Sequence, residues 1–214
     1  MRLATLLGNL VRYGAVALIV NAAPAMAEPF RLLALGDSLT AGYGVAAADS
    51  FPAQLERALR AQGHDVTVIN AGVSGDTSAG GKARLDWSLG DRPNAAIVEL
   101  GANDGLRGLD VGQMEANLDN IVGRLKGAGI KVLLTGMRAP PNYGADYAQS
   151  YAAVFPRVAR RHQVAFYPFF LEGVARDPRF NQPDGLHPTA LGVAEIVRRM
   201  LPEVTALLKP EEKK

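Results

Sequence analysis

Apolar positions along this chain alternate between two spacings. Short runs, dense in β-branched residues and leucine, occur at 31–35, 66–69, 95–100, 131–135 and 164–167. Each is the length of a buried strand. Between them the apolar residues recur every three or four positions. Leu55, Ala58 and Leu59 mark one helix over 52–61, and Met114, Leu118, Ile121, Val122 and Leu125 mark a second over 111–126. Tyr151, Val154, Phe155 and Val158 mark a third over 147–161, and a fourth runs from 189 to 208. Strands that alternate with helices imply right-handed crossovers and a parallel sheet covered on both faces. In such a sheet the loops after successive strands gather at one edge, the carboxyl ends, where ligands bind.

Those loops carry the polar signatures of the chain. Gly36-Asp37-Ser38-Leu39 follows the first strand, Gly72-Val73-Ser74-Gly75-Asp76-Thr77 the second and Gly101-Ala102-Asn103-Asp104 the third. Asp184-Gly185-Leu186-His187-Pro188 follows the fifth after a longer loop. Ser38 is a candidate nucleophile, since a hydroxyl at a glycine-bounded turn is exposed and needs only an adjacent base. His187 has Asp184 three residues before it, able to orient one ring nitrogen and leave the other for the serine proton. Pro188 is expected in the first turn of the last helix, which would hold His187 at its start. The Gly75 and Ser38 backbone N–H groups and the Asn103 amide are candidate donors to an oxyanion.

Each signature also has an ordinary reading. Serine after Gly-Asp is a favoured helix N-cap, and Ser-Gly-Asp and Asn-Asp-Gly are common turns. Asp37, Asp76 and Asp104 at one edge could hold a divalent cation, but they come one per loop, so no metal is assigned. Gly42-Tyr43-Gly44-Val45-Ala46-Ala47 matches a dinucleotide fingerprint formally, yet Asp37-Ser38-Leu39-Thr40 separates it from the strand it should follow. His64 and His162 read as solvated and non-catalytic. What outweighs these readings is convergence, because residues 150 positions apart share one sheet edge.

The first 27 residues differ from the rest. Arg2 and Arg12 flank a start that leads into an apolar stretch at 14–20 and ends on Ala25-Met26-Ala27. This is the pattern of a secretory leader cleaved after Ala27, and the apolar stretch is too short to span a bilayer. The expected organisation is a leader over 1–27 and a single domain over 28–214, with a solvated tail from about 209. The destination is periplasmic or secreted. The leader holds two of the 23 basic residues and none of the 21 acidic ones, leaving 21 against 21. A balanced charge gives no basic face for nucleic acid, and the mature chain has no apolar segment for integral insertion. With no cysteine, thiol catalysis, disulfides and cysteine-linked lipid anchors are excluded.

These blocks together resemble the SGNH, or GDSL, hydrolase family, whose four letters fall on Ser38, Gly75, Asn103 and His187. The stretches Asn70–Gly81 and Val98–Gly108, with Pro140-Pro141-Asn142-Tyr143-Gly144 and Phe169-Phe170, resemble its branch of bacterial periplasmic thioesterases, lysophospholipases and arylesterases. Similarity covers most of residues 30–205. The resemblance implies a flavodoxin-like, three-layer α/β/α fold with a five-stranded parallel sheet. It implies Ser38, Asp184 and His187 as catalytic residues, an oxyanion hole of Ser38, Gly75 and Asn103, and no cofactor. It also implies small acyl esters, thioesters or lysophospholipids as substrates, cleaved through an acyl-enzyme; the chain is expected to be a monomer. A carbohydrate O-acetyl esterase with the same site is the alternative. Leu106 and Tyr143, in the loops 106–109 and 142–145, are expected to bind the acyl chain. One departure is Ala102, where the family often has glycine.

Overall fold

A computed structural model describes residues 28–209. The expected leader and the end of the tail, 210–214, lie outside the described residues. The elements in chain order are β1 (Phe30–Gly36), α1 (Ser38–Ala41), α2 (Phe51–Ala61), β2 (Val66–Gly72), α3 (Ser78–Ala83) and α4 (Leu85–Leu89). They continue with β3 (Ala95–Glu99), α5 (Ala102–Leu106), α6 (Val111–Gly127), β4 (Lys131–Thr135), α7 (Ala145–His162), β5 (Ala165–Tyr167) and α8 (Ala190–Leu208). Short 3-10 turns lie at Ala47–Asp49 and Pro141–Tyr143.

All five strands pair in parallel, in the order β2-β1-β3-β4-β5. This is the flavodoxin-like order, and its topological switch point lies between β1 and β3. The chain leaves β1 toward one side of the sheet and β3 toward the other, so a crevice opens at their carboxyl ends. Register brings Gly36 opposite Gly72 on one neighbour and opposite Glu99 on the other. Ser38 and Asn103 therefore enter the crevice from its two walls.

The sheet is covered on both faces, as the unbroken apolar runs require. Leu32, Leu33, Leu35, Ile97, Val98, Leu133 and Leu134 are all buried. Helices α2 and α8 pack together, and α6 packs against α3 and α7. The predicted periodic positions of these helices, Leu55 and Leu59, Leu118 to Leu125, and Tyr151 to Val158, are the buried ones.

The amino end of α8 differs from expectation. Proline 188 does not open the helix: Thr189 caps it, accepting from the Gly192 N–H, and Ala190 begins it. Pro188 instead pairs with Asn181 in an isolated antiparallel bridge. His187 is thus held by a knot of loop hydrogen bonds and not by a helix start. Its carbonyl accepts from the Gln182 N–H at 2.8 Å, while the Gln182 side chain spans from the Tyr43 to the Pro188 carbonyl.

Candidate active site

β1 ends in Gly36, and Asp37 turns the chain into the short helix α1. Asp37 is its cap: Oδ1 accepts from the Leu39 N–H at 3.0 Å. Ser38 is therefore the first helical residue, not the cap, and its hydroxyl is free for other work. His187 Nε2 lies 2.9 Å from Ser38 Oγ, across 149 residues of sequence. On the other side of the ring, Nδ1 lies 2.7 Å from Asp184 Oδ2. Asp184 Oδ1 accepts from the N–H groups of Leu186 at 2.9 Å and His187 at 3.0 Å.

These bonds decide the proton positions. The His187 backbone N–H, then its ring and the Leu186 N–H, hold the Asp184 carboxyl down at about 2. At neutral pH it is an anion and can only accept. Nδ1 must then carry the ring proton, which turns the Nε2 lone pair toward the Ser38 hydroxyl. Tyr43 tilts over the imidazole with ring centroids 4.5 Å apart, limiting its swing.

The candidate oxyanion donors besides Ser38 come from the β2 and β3 loops. Gly75 has φ of +84°, a left-handed conformation that favours glycine, and its carbonyl is clamped by Arg107 at 2.8 Å. Asn103, in the first turn of α5, donates both amide protons: to the Asp76 carbonyl at 2.8 Å and to Asp37 Oδ2 at 3.1 Å. Ala102 needs no glycine, because the left-handed residue here is Gly101, with φ of +112°, and Ala102 already belongs to the helix. Leu106 and Tyr143 meet: the Tyr143 hydroxyl donates to the Leu106 carbonyl at 3.1 Å, and both side chains are about two-fifths exposed.

Several residues of this edge escaped sequence reasoning. Arg84 ties the β2 loop to the ends of β1 and β2, donating to Asp76 at 2.6 Å and to the Ala71 and Gly36 carbonyls at 2.8 Å each. Nothing in its local sequence marks it. Tyr147 and Tyr151 hold the β3 loop from α7, donating to the Leu109 and Gly101 carbonyls at 2.9 and 2.7 Å. Glu99 is fully buried at the end of β3, and there a signal existed: a lone charge closing the apolar run Ala95–Glu99 must find partners.

The other polar candidates have separate roles. Asp104 is buried and accepts from the Ser78 N–H and hydroxyl at 2.7 and 2.6 Å, and Asp76 pairs with Arg84. Gly42 ends α1 and opens no further helix, unlike a dinucleotide loop. Proximity to arginines did not leave His162 solvated as expected: it is half-buried, its Nε2 2.9 Å from Asp119. A hollow of about 550 Å³ lies at the opposite edge of the sheet, between Lys131 and Ala165 at the strand starts, far from these groups.

Residues 34–194 match the model of the GDSL-like lipase/acylhydrolase family. The chain belongs to that family. It is 39% identical over 196 residues to esterase TesA of Pseudomonas aeruginosa, covering 91% of this chain and 96% of that protein. It is 42% identical over 158 residues to thioesterase 1/protease 1/lysophospholipase L1 of Escherichia coli K12, covering 73% and 74%. Among solved structures, AlinE4, an SGNH-hydrolase family esterase, superposes with a TM-score of 0.72 at 46% identity, covering 87% of this chain and all of that one. The GDSL tetrapeptide of this member is Gly36 to Leu39, and the fold is that of its SGNH neighbours.

Proposed function

We propose that this GDSL family member is a serine esterase, with Ser38 as nucleophile, His187 as base and Asp184 as its orienting carboxylate. The observation that carries the reading is the unbroken chain from Ser38 Oγ through the imidazole to Asp184, at 2.9 and 2.7 Å. His187 Nε2 takes the hydroxyl proton as Oγ attacks the ester carbonyl carbon. The carbonyl oxygen becomes an oxyanion facing the Ser38 and Gly75 N–H groups and the Asn103 amide. Asn103 meets it by releasing its longer contact, to Asp37, while the Asp76 carbonyl keeps the amide oriented. The protonated imidazole then gives its proton to the leaving alcohol, and water repeats the sequence on the acyl-enzyme.

The substrate range we infer is carboxylic esters, with acyl thioesters and lysophospholipids as further substrates. The apolar rim of the edge supports it: Tyr43, Val73, Leu106, Leu109, Tyr143 and Leu186 are exposed in the loops after the strands. Leu106 and Tyr143 would meet the acyl chain. Residues 1–27 support export to the periplasm or beyond. No helix among the described residues is long and apolar enough to cross a membrane. The test is a panel of p-nitrophenyl esters, acyl thioesters and lysophospholipids hydrolysed by the wild type and by Ser38→Ala. Turnover by the wild type and its loss in the variant are expected. Ester turnover that survives in a folded Ser38→Ala protein would overturn the assignment.

A further inference from the structure

Beneath the nucleophile lie two carboxyl groups with no arginine or lysine paired to them among the described residues. Asp37 and Glu99 are at most 1% exposed, and their carboxyls are within hydrogen-bonding reach of each other. Glu99 Oε2 accepts from the Thr40 hydroxyl at 2.8 Å and the Asp37 N–H at 3.3 Å. Glu99 Oε1 is buried, and no group among the described residues donates to it. Arg84, the guanidinium that reaches this turn, is spent on Asp76 and two carbonyls. A Cβ at Gly36 would collide with Thr40 and Glu99, so the packing is built around the pair.

Two adjacent buried anions without a cation are untenable, so the pair must hold a proton. The hydrogen bonds say where. Both Asp37 oxygens already accept, from the Leu39 N–H and from Asn103, and have no use for a proton. Glu99 Oε1 lacks any donor and becomes satisfied only by donating one itself. We propose that Glu99 is a protonated positioning residue, donating from Oε1 to Asp37 and so fixing the Ser38 turn and the Asn103 amide. Burial pushes both carboxyls upward, Asp37 to about 6, and Glu99 well above the usual carboxylate range, first by burial and then by the facing charge of Asp37. The other titratable groups facing the pair are His187, across the Ser38 turn, and Tyr151, from α7.

The positioning role rests on the catalytic reading of Ser38 and Asn103, whereas the proton does not. Infrared spectroscopy of the wild type at pH 8 should show a protonated-carboxyl C=O stretch, and Glu99→Gln should abolish it. Glutamine reproduces the neutral acid, with an N–H toward Asp37 and an oxygen toward Thr40. Its kcat/KM should stay within about threefold of wild type, whereas Glu99→Ala should lose about 10- to 100-fold, carried by kcat and not KM. Absence of the stretch in the wild type overturns the proposal, even if Glu99→Gln fails to fold. So does a folded Glu99→Gln protein as impaired as Glu99→Ala. Retained ester turnover in Ser38→Ala would strike the catalytic reading alone and leave the stretch in place.

Discussion

Asn103→Ala removes one side chain with two separate duties, and the two should be measurable apart. The amide donates to the Asp76 carbonyl at 2.8 Å and to Asp37 at 3.1 Å in the resting protein. Loss of those bonds costs stability. Asn103 is half-buried, so water replaces part of what is lost, and the cost is about 1 to 2 kcal/mol. In a domain this size that lowers Tm by roughly 2 to 8 °C. The catalytic duty is larger. A preorganised donor to the developing oxyanion contributes about 3 to 4 kcal/mol, so kcat should fall about 10²- to 10³-fold. Since that charge exists only in the transition state, KM should move by less than about threefold. The assay is initial-rate hydrolysis of p-nitrophenyl butyrate at pH 8, beside a thermal melt of the same preparation. A fall in kcat of less than about tenfold, or a loss carried by KM, refutes the oxyanion role and leaves Asn103 a structural residue. Asn103→Asp keeps the shape but sets an acceptor against Asp37. It should lose more activity than alanine.

Asp184→Asn keeps the Leu186 and His187 N–H bonds through Oδ1 but offers Nδ1 a donor, which forces the wrong tautomer; kcat should fall by about 10⁴, and a loss under tenfold would remove Asp184 from the mechanism. Burial raises Asp37 from 3.8 to about 6 in the folded state, so its contribution to stability is complete below pH 4 and is lost as pH rises through 6. Melts at pH 4, 5, 6 and 7 should show a flatter profile for Asp37→Asn than for the wild type; an equal slope would contradict it. Leu106→Ala and Tyr143→Ala should each alter the acyl-chain profile across C2 to C12 p-nitrophenyl esters, whereas an unchanged profile in both removes them from the acyl site. Expression in a Gram-negative host should yield a mature chain beginning at Glu28, readable by intact mass, and an uncleaved product would overturn the leader.

Reading the chain alone reached the layer order and the clustering of the candidate site residues, because both depend on local signals. A run of apolar residues is buried on both faces wherever it lies in the sheet, so four of the five strands could be placed within a residue; β2, read as 66–69, continues to Gly72, because Asn70 to Gly72 leave the apolar pattern yet still pair with β1. A signature directly after a strand must sit at the carboxyl edge, so Ser38, Gly75 and Asn103 converge by topology alone. The Asp184–His187 pair spans three residues and needs only one turn. Tertiary structure decided everything that depends on a partner far along the chain. Thr189, not the histidine-proline pair, caps α8, and His187 is held through Gln182 and Tyr43. Arg84 reaches the ends of two strands, and three tyrosines latch the β3 loop. Glu99 meets Asp37 only because parallel register sets Gly36 opposite it. Local patterning says which residues must be buried or turned. Which buried carboxyl keeps its proton is a matter of which other groups share its few ångströms, and that only the folded chain determines.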